Sequence, residues 1–83
     1  MLIKVLGGGC NNCRVTIANV EKALEKTGIQ ADIVKVEDYV EIMQYDVLST
    51  PGLVIDEALK TVGRVPTVPE IVTLLTEAQS AHV

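Results

Sequence analysis

The stretch Leu2–Arg14, LIKVLGGGCNNCR, decides the fold of this 83-residue chain. Its first part, residues 2–6, is short, aliphatic and followed by glycine, which is typical of a buried strand. The glycines at 7–9 favour a tight turn. Cys10 and Cys13 are the only cysteines, and their C-x-x-C spacing falls where a helical pattern begins. A strand, a turn and a thiol pair at a helix start together predict a site for thiol chemistry.

The composition predicts one small globular domain and excludes several classes of partner. A hydrophobic content of 48% indicates an aliphatic core, and a net charge of −4 argues against nucleic acid as a partner, because phosphates are bound by clustered Lys and Arg. The longest apolar run is far shorter than the roughly 20 residues of a membrane span, and residues 1–6 do not resemble a signal peptide. We therefore expect a single domain over 1–79 with a tail at 80–83, located in the cytoplasm and without a membrane partner.

Hydrophobic periodicity predicts the first half of the fold. The first helix is expected to begin with Asn11 or Asn12 as its N-cap and to end at Gly28. Its inward stripe is expected to be Cys13, Ile17, Val20 and Leu24. A second strand over 29–36 should run parallel to the first, because a helix connects the two.

The second half begins with a helix capped by Asp38. Its expected inward stripe is Val36, Val40, Met43 and Val47. Strands over 52–55 and 58–62 then form an antiparallel hairpin, and Thr67 with Glu70 forms a capping box that opens the last helix. The predicted fold class is α/β with the order β-α-β-α-β-β-α, a four-stranded mixed sheet with helices on both faces.

The two cysteines are expected to have different roles. Cys10 precedes the helix, where free N–H groups and the helix dipole favour a thiolate, and Arg14 adds a nearby positive charge. Both effects should lower the pKa of Cys10 from about 8.5 toward 7. Cys13 lies one turn further on, on the apolar stripe. We therefore expect Cys10 to attack a substrate disulfide and Cys13 to resolve the mixed disulfide.

The complete pattern resembles the thioredoxin/glutaredoxin superfamily, and in particular its small redox-active disulfide proteins. The resemblance covers about residues 1–78 and rests on G-G-G-C-x-x-C at 7–13, the run T-P-G-L-V-I-D at 50–56, and V-G-R at 62–64. It implies a thioredoxin-like fold and a protein disulfide reductase or electron carrier that needs no cofactor and no metal.

The resemblance also implies particular roles and partners. Pro51 should follow a cis peptide bond beside the cysteines, and Thr50 should offer backbone groups to a substrate peptide. Disulfide-containing proteins are the implied substrates, and a flavoprotein like thioredoxin reductase is the implied electron donor. Glutathione has little support, because Arg14 and Arg64 are the only arginines, although Gly63 matches a glycine that borders the glutathione site in glutaredoxins.

The chain departs from the family in several positions. Asn11 and Asn12 separate the cysteines, and Gly9 replaces the usual aromatic residue. The buried aspartate that assists the second cysteine has no clear counterpart, Asp32 and Lys4 being weak candidates.

Two alternatives remain open at this stage. Two thiolates can bind soft metals such as Cu(I) or Zn, so the chain could be a metal-binding module. Metal carriers of the ferredoxin-like class, however, end in a strand and lack the Thr-Pro pair. The second alternative is a thioredoxin-like domain that only contacts other proteins.

Overall fold

The computed structural model describes residues 1–7, 11–47 and 49–80. Within them the element order matches the prediction: β-α-β-α-β-β-α. The elements are β1 (Leu2–Leu6), α1 (Asn11–Thr27), β2 (Asp32–Val36), α2 (Tyr39–Met43), β3 (Gly52–Ile55), β4 (Ala58–Val62) and α3 (Val68–Ser80). None of the helices in these ranges is long and apolar enough to cross a bilayer.

The four strands form one mixed sheet in the order β2-β1-β3-β4. β1 and β2 are parallel, as the intervening helix requires, and Leu6 is paired with Val36 at their carboxyl ends. β3 is antiparallel to both β1 and β4. The carboxyl end of β1 and the start of β3 therefore meet at one edge of the sheet, where Leu6 is paired with Gly52.

Helices cover both faces of the sheet, but unequally. On one face α1 and α3 pack over a core of eight buried residues, namely Ile3, Val5, Val20, Ala23, Leu53, Ile55, Ile71 and Leu75. On the other face α2 and its flanking residues cover a smaller cluster, namely Leu6, Val36, Ile42, Val47 and Val54. Successive residues of β1 alternate between these clusters because side chains of a strand point to opposite faces.

The first helix differs from its prediction in detail. It already includes Asn11 and Asn12, so neither asparagine is its N-cap. Its buried residues are Cys13, Thr16, Val20 and Ala23. Ile17 and Leu24 are half-buried and pack at the margin of the core. Gly28 ends the helix with a φ of +72°, as a glycine after the last turn should.

The second helix shows the larger error. Asp38 is its N-cap, as predicted, and its carboxylate accepts a hydrogen bond from the Val40 N–H. The predicted inward stripe is half wrong, since Val40 and Met43 are exposed and Ile42 is buried instead. With a length of five residues, the helix contains too little of the 3.6-residue period for the sequence to settle which face is buried.

Candidate active site

Cys13 lies in the first turn of α1, where the sequence placed it. Its side chain is only 2% exposed, and it is disulfide-bonded. Cys10, the predicted nucleophile, lies outside the described residues, as do Gly8 and Gly9. Cys13 is on the buried face of α1, as the apolar stripe predicted.

Thr50 and Pro51 form the second part of the site. The peptide bond between them is cis, which confirms the geometry that the resemblance implied. Pro51 is buried and leads directly into β3, whereas the Thr50 side chain is exposed. The chain therefore presents Thr50 at the surface while Pro51 is packed against the sheet.

Gly7 brings Cys13 and Thr50 together, although they are 37 positions apart. A Cβ atom at Gly7 would lie 2.8 Å from Sγ of Cys13 and 2.9 Å from Cβ of Thr50, both closer than non-bonded atoms approach. The φ of Gly7 is +117°, a conformation that side-chain-bearing residues rarely adopt. Glycine is needed here for its backbone angle and for its lack of a side chain.

Gly63 supports the loop that contains Pro51. Its N–H donates a hydrogen bond to the Pro51 carbonyl at 2.9 Å. Its φ is +74°, and a Cβ atom there would lie 3.2 Å from Cβ of Ser49. Gly63, directly after β4, thus lies against the residues on both sides of Thr50.

The two arginines have different environments. Arg14 is exposed on α1, one residue after Cys13. Arg64 forms a bidentate ion pair with Glu70 of α3, in which its Nη1 is 2.7 Å from Oε1 and its Nη2 donates to Oε2. This pair lowers the pKa of the Glu70 carboxyl and raises that of Arg64. The guanidinium of Arg64 is therefore occupied by a partner within the chain.

Comparisons with known proteins identify relatives of this chain. A family model described as a thioredoxin domain matches residues 1–76. The chain is 44% identical over 71 residues to a thioredoxin of Methanocaldococcus jannaschii, covering 86% of this chain and 81% of that protein. It is 35% identical over 75 residues to a thioredoxin of Methanothermobacter thermautotrophicus, covering 90% and 97% of the two chains.

The chain belongs to the thioredoxin family. Its mixed sheet, with helices on both faces, is the thioredoxin-like fold expected from the sequence. The match spans all the strands and most of α3, so the family assignment covers the whole of the structural core.

The thioredoxin-like site contains one contact that the sequence did not predict. The sequence predicts a turn for the glycines at 7–9, but it does not predict the close approach of Gly7 to Cys13 and Thr50. The only local signal was the position of Gly7 directly after the first strand. The contact with Thr50 forms because the chain returns to β1 after α2. No local sequence pattern predicts this return.

The two residues considered as counterparts of a buried aspartate do not fill that role here. Asp32 is exposed and is paired with Leu2, at the end of β1 away from Gly7. The Lys4 ammonium is 2.7 Å from the Glu57 carboxylate and 2.8 Å from the Tyr45 hydroxyl. Hydrogen bonds to Glu57 and then Tyr45 raise the pKa of Lys4, and the bond from Lys4 lowers the pKa of Glu57. Lys4 therefore has structural partners on the α2 face.

Metal ligands are not gathered at this site among the described residues. No group of three or more His, Cys, Asp or Glu side chains is placed to hold an ion within residues 1–7, 11–47 and 49–80. Among the described residues, the site consists of the disulfide-bonded Cys13 with Thr50 beside it and the cis bond to Pro51.

Proposed function

We propose that this chain is a thiol–disulfide oxidoreductase that works with a Cys10–Cys13 dithiol. The observation that carries the proposal is the convergence at Gly7, where the sulfur of Cys13 and the side chain of Thr50 both reach the end of β1. A buried cysteine beside the cis Thr50–Pro51 bond, in a chain of the thioredoxin family, supports this use of the motif.

The reaction is a pair of thiol–disulfide exchanges. The Cys10 thiolate attacks one sulfur of a substrate disulfide, forms a mixed disulfide and releases the first substrate thiolate, which takes up a proton. The Cys13 thiolate then attacks the Cys10 sulfur, so that a Cys10–Cys13 disulfide forms and the second substrate thiolate leaves. Two electrons pass from the protein dithiol to the substrate, and a dithiol donor must restore the reduced protein.

The two cysteines divide this work by their position. Cys10 precedes the first residue of α1, so the unpaired N–H groups of the first helical turn favour its thiolate, and Arg14 contributes positive charge. Cys13 is almost fully buried and is suited to attack a sulfur that is already attached to the protein. Thr50 is exposed next to the site and can offer its backbone to an extended substrate segment.

The proposed substrates are disulfide-containing proteins, and the proposed donor is a flavoprotein like thioredoxin reductase. We do not propose glutathione, because the Arg64 guanidinium is already bound to Glu70. The setting we propose is the cytoplasm, where dithiols are kept reduced. Residues 1–79 are proposed to act as one thioredoxin-like unit.

A trapping experiment tests the mechanism. The Cys13→Ser variant should accumulate a mixed disulfide at Cys10 with an oxidised peptide substrate, seen as a mass increase that dithiothreitol reverses. Cys10→Ser is the matched control and should trap far less, because its remaining thiol is buried. We expect the wild-type couple to have a potential roughly between −300 and −180 mV. A potential far outside this range, or equal trapping by both variants, would contradict the proposal.

A further inference from the structure

The net charge of the chain is concentrated in one short segment, residues 37–46, which we call the α2 surface. Four of the 11 acidic residues lie there, namely Glu37, Asp38, Glu41 and Asp46, and the segment has no Lys or Arg. The remaining seven acidic residues are balanced by the seven basic ones, so the formal charge of −4 belongs to this segment alone. All four carboxylates are on exposed residues, and neither ion pair found among the described residues involves them.

The α2 surface also exposes the most accessible large apolar side chains of the described residues. Tyr39 is 73% exposed, Val40 67% and Met43 50%. They are exposed because α2 is fixed to the sheet through Ile42, its one buried residue. Isolated apolar residues at a surface need no explanation, but three within five residues form a continuous helical face.

The residues that flank this segment, Val36 before it and Thr50 four positions after it, lie next to the candidate active site. Before the segment, the Val36 carbonyl accepts a hydrogen bond from the Gly7 N–H at 2.9 Å. After it, the chain reaches Thr50, whose Cβ lies against Gly7. Gly7 in turn contacts the sulfur of Cys13. A protein whose disulfide reaches the dithiol is therefore placed close to the α2 surface.

We propose that the α2 surface is the docking site for a redox partner protein that presents an apolar centre surrounded by Lys and Arg. This inference rests on the proposed thiol–disulfide function and adds the chemistry of the partner. Charge complementarity selects this occupant, because an acidic rim attracts a basic one and accelerates encounter. A second copy of the chain would bring the same four carboxylates face to face, and nucleic acid or anionic lipid would bring phosphates. Each of these occupants would be repelled by the negative charge of the α2 surface.

The test uses two synthetic peptides as probes. They contain the same internal disulfide and the same flanking leucines, and they differ in having four Lys or four Glu around the disulfide. For each peptide, the rate at which it oxidises the reduced protein is divided by the rate at which it oxidises dithiothreitol. This ratio removes the intrinsic reactivity of the peptide. We expect the Lys peptide to react at least tenfold faster at low salt, with the ratio falling toward one in high salt.

Two pairs of variants locate this preference on the surface. Glu37→Gln with Glu41→Gln should reduce the Lys-to-Glu ratio at least threefold, whereas Glu21→Gln with Glu25→Gln, the same charge change on exposed positions of α1, should leave it unchanged. Val40→Ser with Met43→Ser should slow the Lys peptide at least threefold. The matched apolar control is Leu59→Ser with Val34→Ser, two exposed positions on β4 and β2, which should not slow it.

An uncharged reagent, 2-hydroxyethyl disulfide, separates the two proposals. Normal exchange with this reagent, combined with equal normalised rates for the two peptides or equal effects of both Glu→Gln pairs, would overturn the docking surface alone. Absence of exchange with 2-hydroxyethyl disulfide would overturn the redox function and the docking proposal that rests on it.

Discussion

At residue 7, a hydrogen atom in place of a side chain decides how closely α1 and the Thr50 loop approach β1. The sulfur of Cys13 and the Cβ of Thr50 occupy the space that a methyl group would need. Neither can retreat freely, because Cys13 is packed in the buried face of α1 and Thr50 is joined to the buried Pro51. This contact makes Gly7 a structural requirement of the site.

Gly7→Ala should therefore destabilise the protein more than the same change at an open glycine. We expect a loss of about 2–4 kcal/mol in the free energy of unfolding, from an unfavourable φ together with the clash. Gly28→Ala is the matched control, because its φ is +72° and no atom lies within 4 Å of the added Cβ. It should lose only about 1–2 kcal/mol. Urea denaturation of both variants measures this difference, and equal losses would contradict it.

Thr61 has a buried hydroxyl with no hydrogen-bond partner among the described residues. The residue is 5% exposed on β4, so its Oγ1 has lost water without compensation. Replacing it with valine should leave stability unchanged or raise it by about 1 kcal/mol, because the unsatisfied group is removed.

The matched control for Thr61→Val is Thr16→Val. Thr16 is equally buried, but its hydroxyl donates to the Asn12 carbonyl at 2.8 Å. This variant should lose about 1 kcal/mol, because the hydrogen bond is removed. Thermal unfolding of the two variants would disprove the prediction if both changes had the same sign.

At the scale of elements, the β3–β4 turn is attached to β1 by two side chains. The Asp56 carboxylate accepts a hydrogen bond from the Leu2 N–H at 2.8 Å, and Glu57 binds Lys4. Both turn residues have positive φ, 48° and 69°, as the tight hairpin requires. The contacts to β1 therefore stabilise a turn whose residues are not the usual Asn-Gly.

The Glu57 contact makes the stability of the protein depend on pH. Its pKa is lowered from 4.5 in the folded chain, so the folded state holds its proton less tightly than the unfolded state. The stabilisation is complete above the unfolded pKa and is lost as the pH falls through the lower, folded pKa. Glu57→Gln should thus lower Tm by a few degrees at pH 7 and by less at pH 3.

The control for this pH dependence is Glu21→Gln, at an exposed position of α1 that forms no ion pair with the described residues. Its Tm should follow that of the wild type at both pH values. A Glu57→Gln variant whose Tm differs from the wild type equally at pH 7 and pH 3 would show that the loss does not come from the ionised carboxylate.

Element order and type could be read from the sequence wherever a pattern extended over several turns or alternated clearly. The long α1 and the β3–β4 hairpin were predicted closely, and so was the Asp38 cap, because cap chemistry is local. The buried face of α2 was not predicted correctly. In a helix of five residues, the sequence pattern does not distinguish the buried Ile42 from the exposed Val40 and Met43. The family resemblance implied that Pro51 lies beside the cysteines. The shared contact of Cys13 and Thr50 with Gly7 could not be predicted, because it arises from tertiary packing.

At the scale of the whole molecule, the sheet separates a large core from a small one. The α1 and α3 side has eight buried residues, whereas the α2 side has five, only one of which belongs to a helix. A five-residue helix is too short to be stable without tertiary contacts. The α2 surface is therefore attached to the candidate active site by the least extensively packed part of the fold.

This asymmetry predicts a hierarchy of local opening. In native-state hydrogen exchange, the amides of α2 should exchange through openings of much lower free energy than those of β1 and β3, the two central strands. Ile42→Ala should accelerate exchange in α2 while changing the protection of β1 far less, because it removes the buried anchor of α2. Leu75→Ala, in the larger core, should instead lower the protection of all elements, with a loss of about 2–5 kcal/mol. If Ile42→Ala lowered protection uniformly, α2 would have to unfold together with the sheet, and the docking surface would be as rigid as the strands behind it.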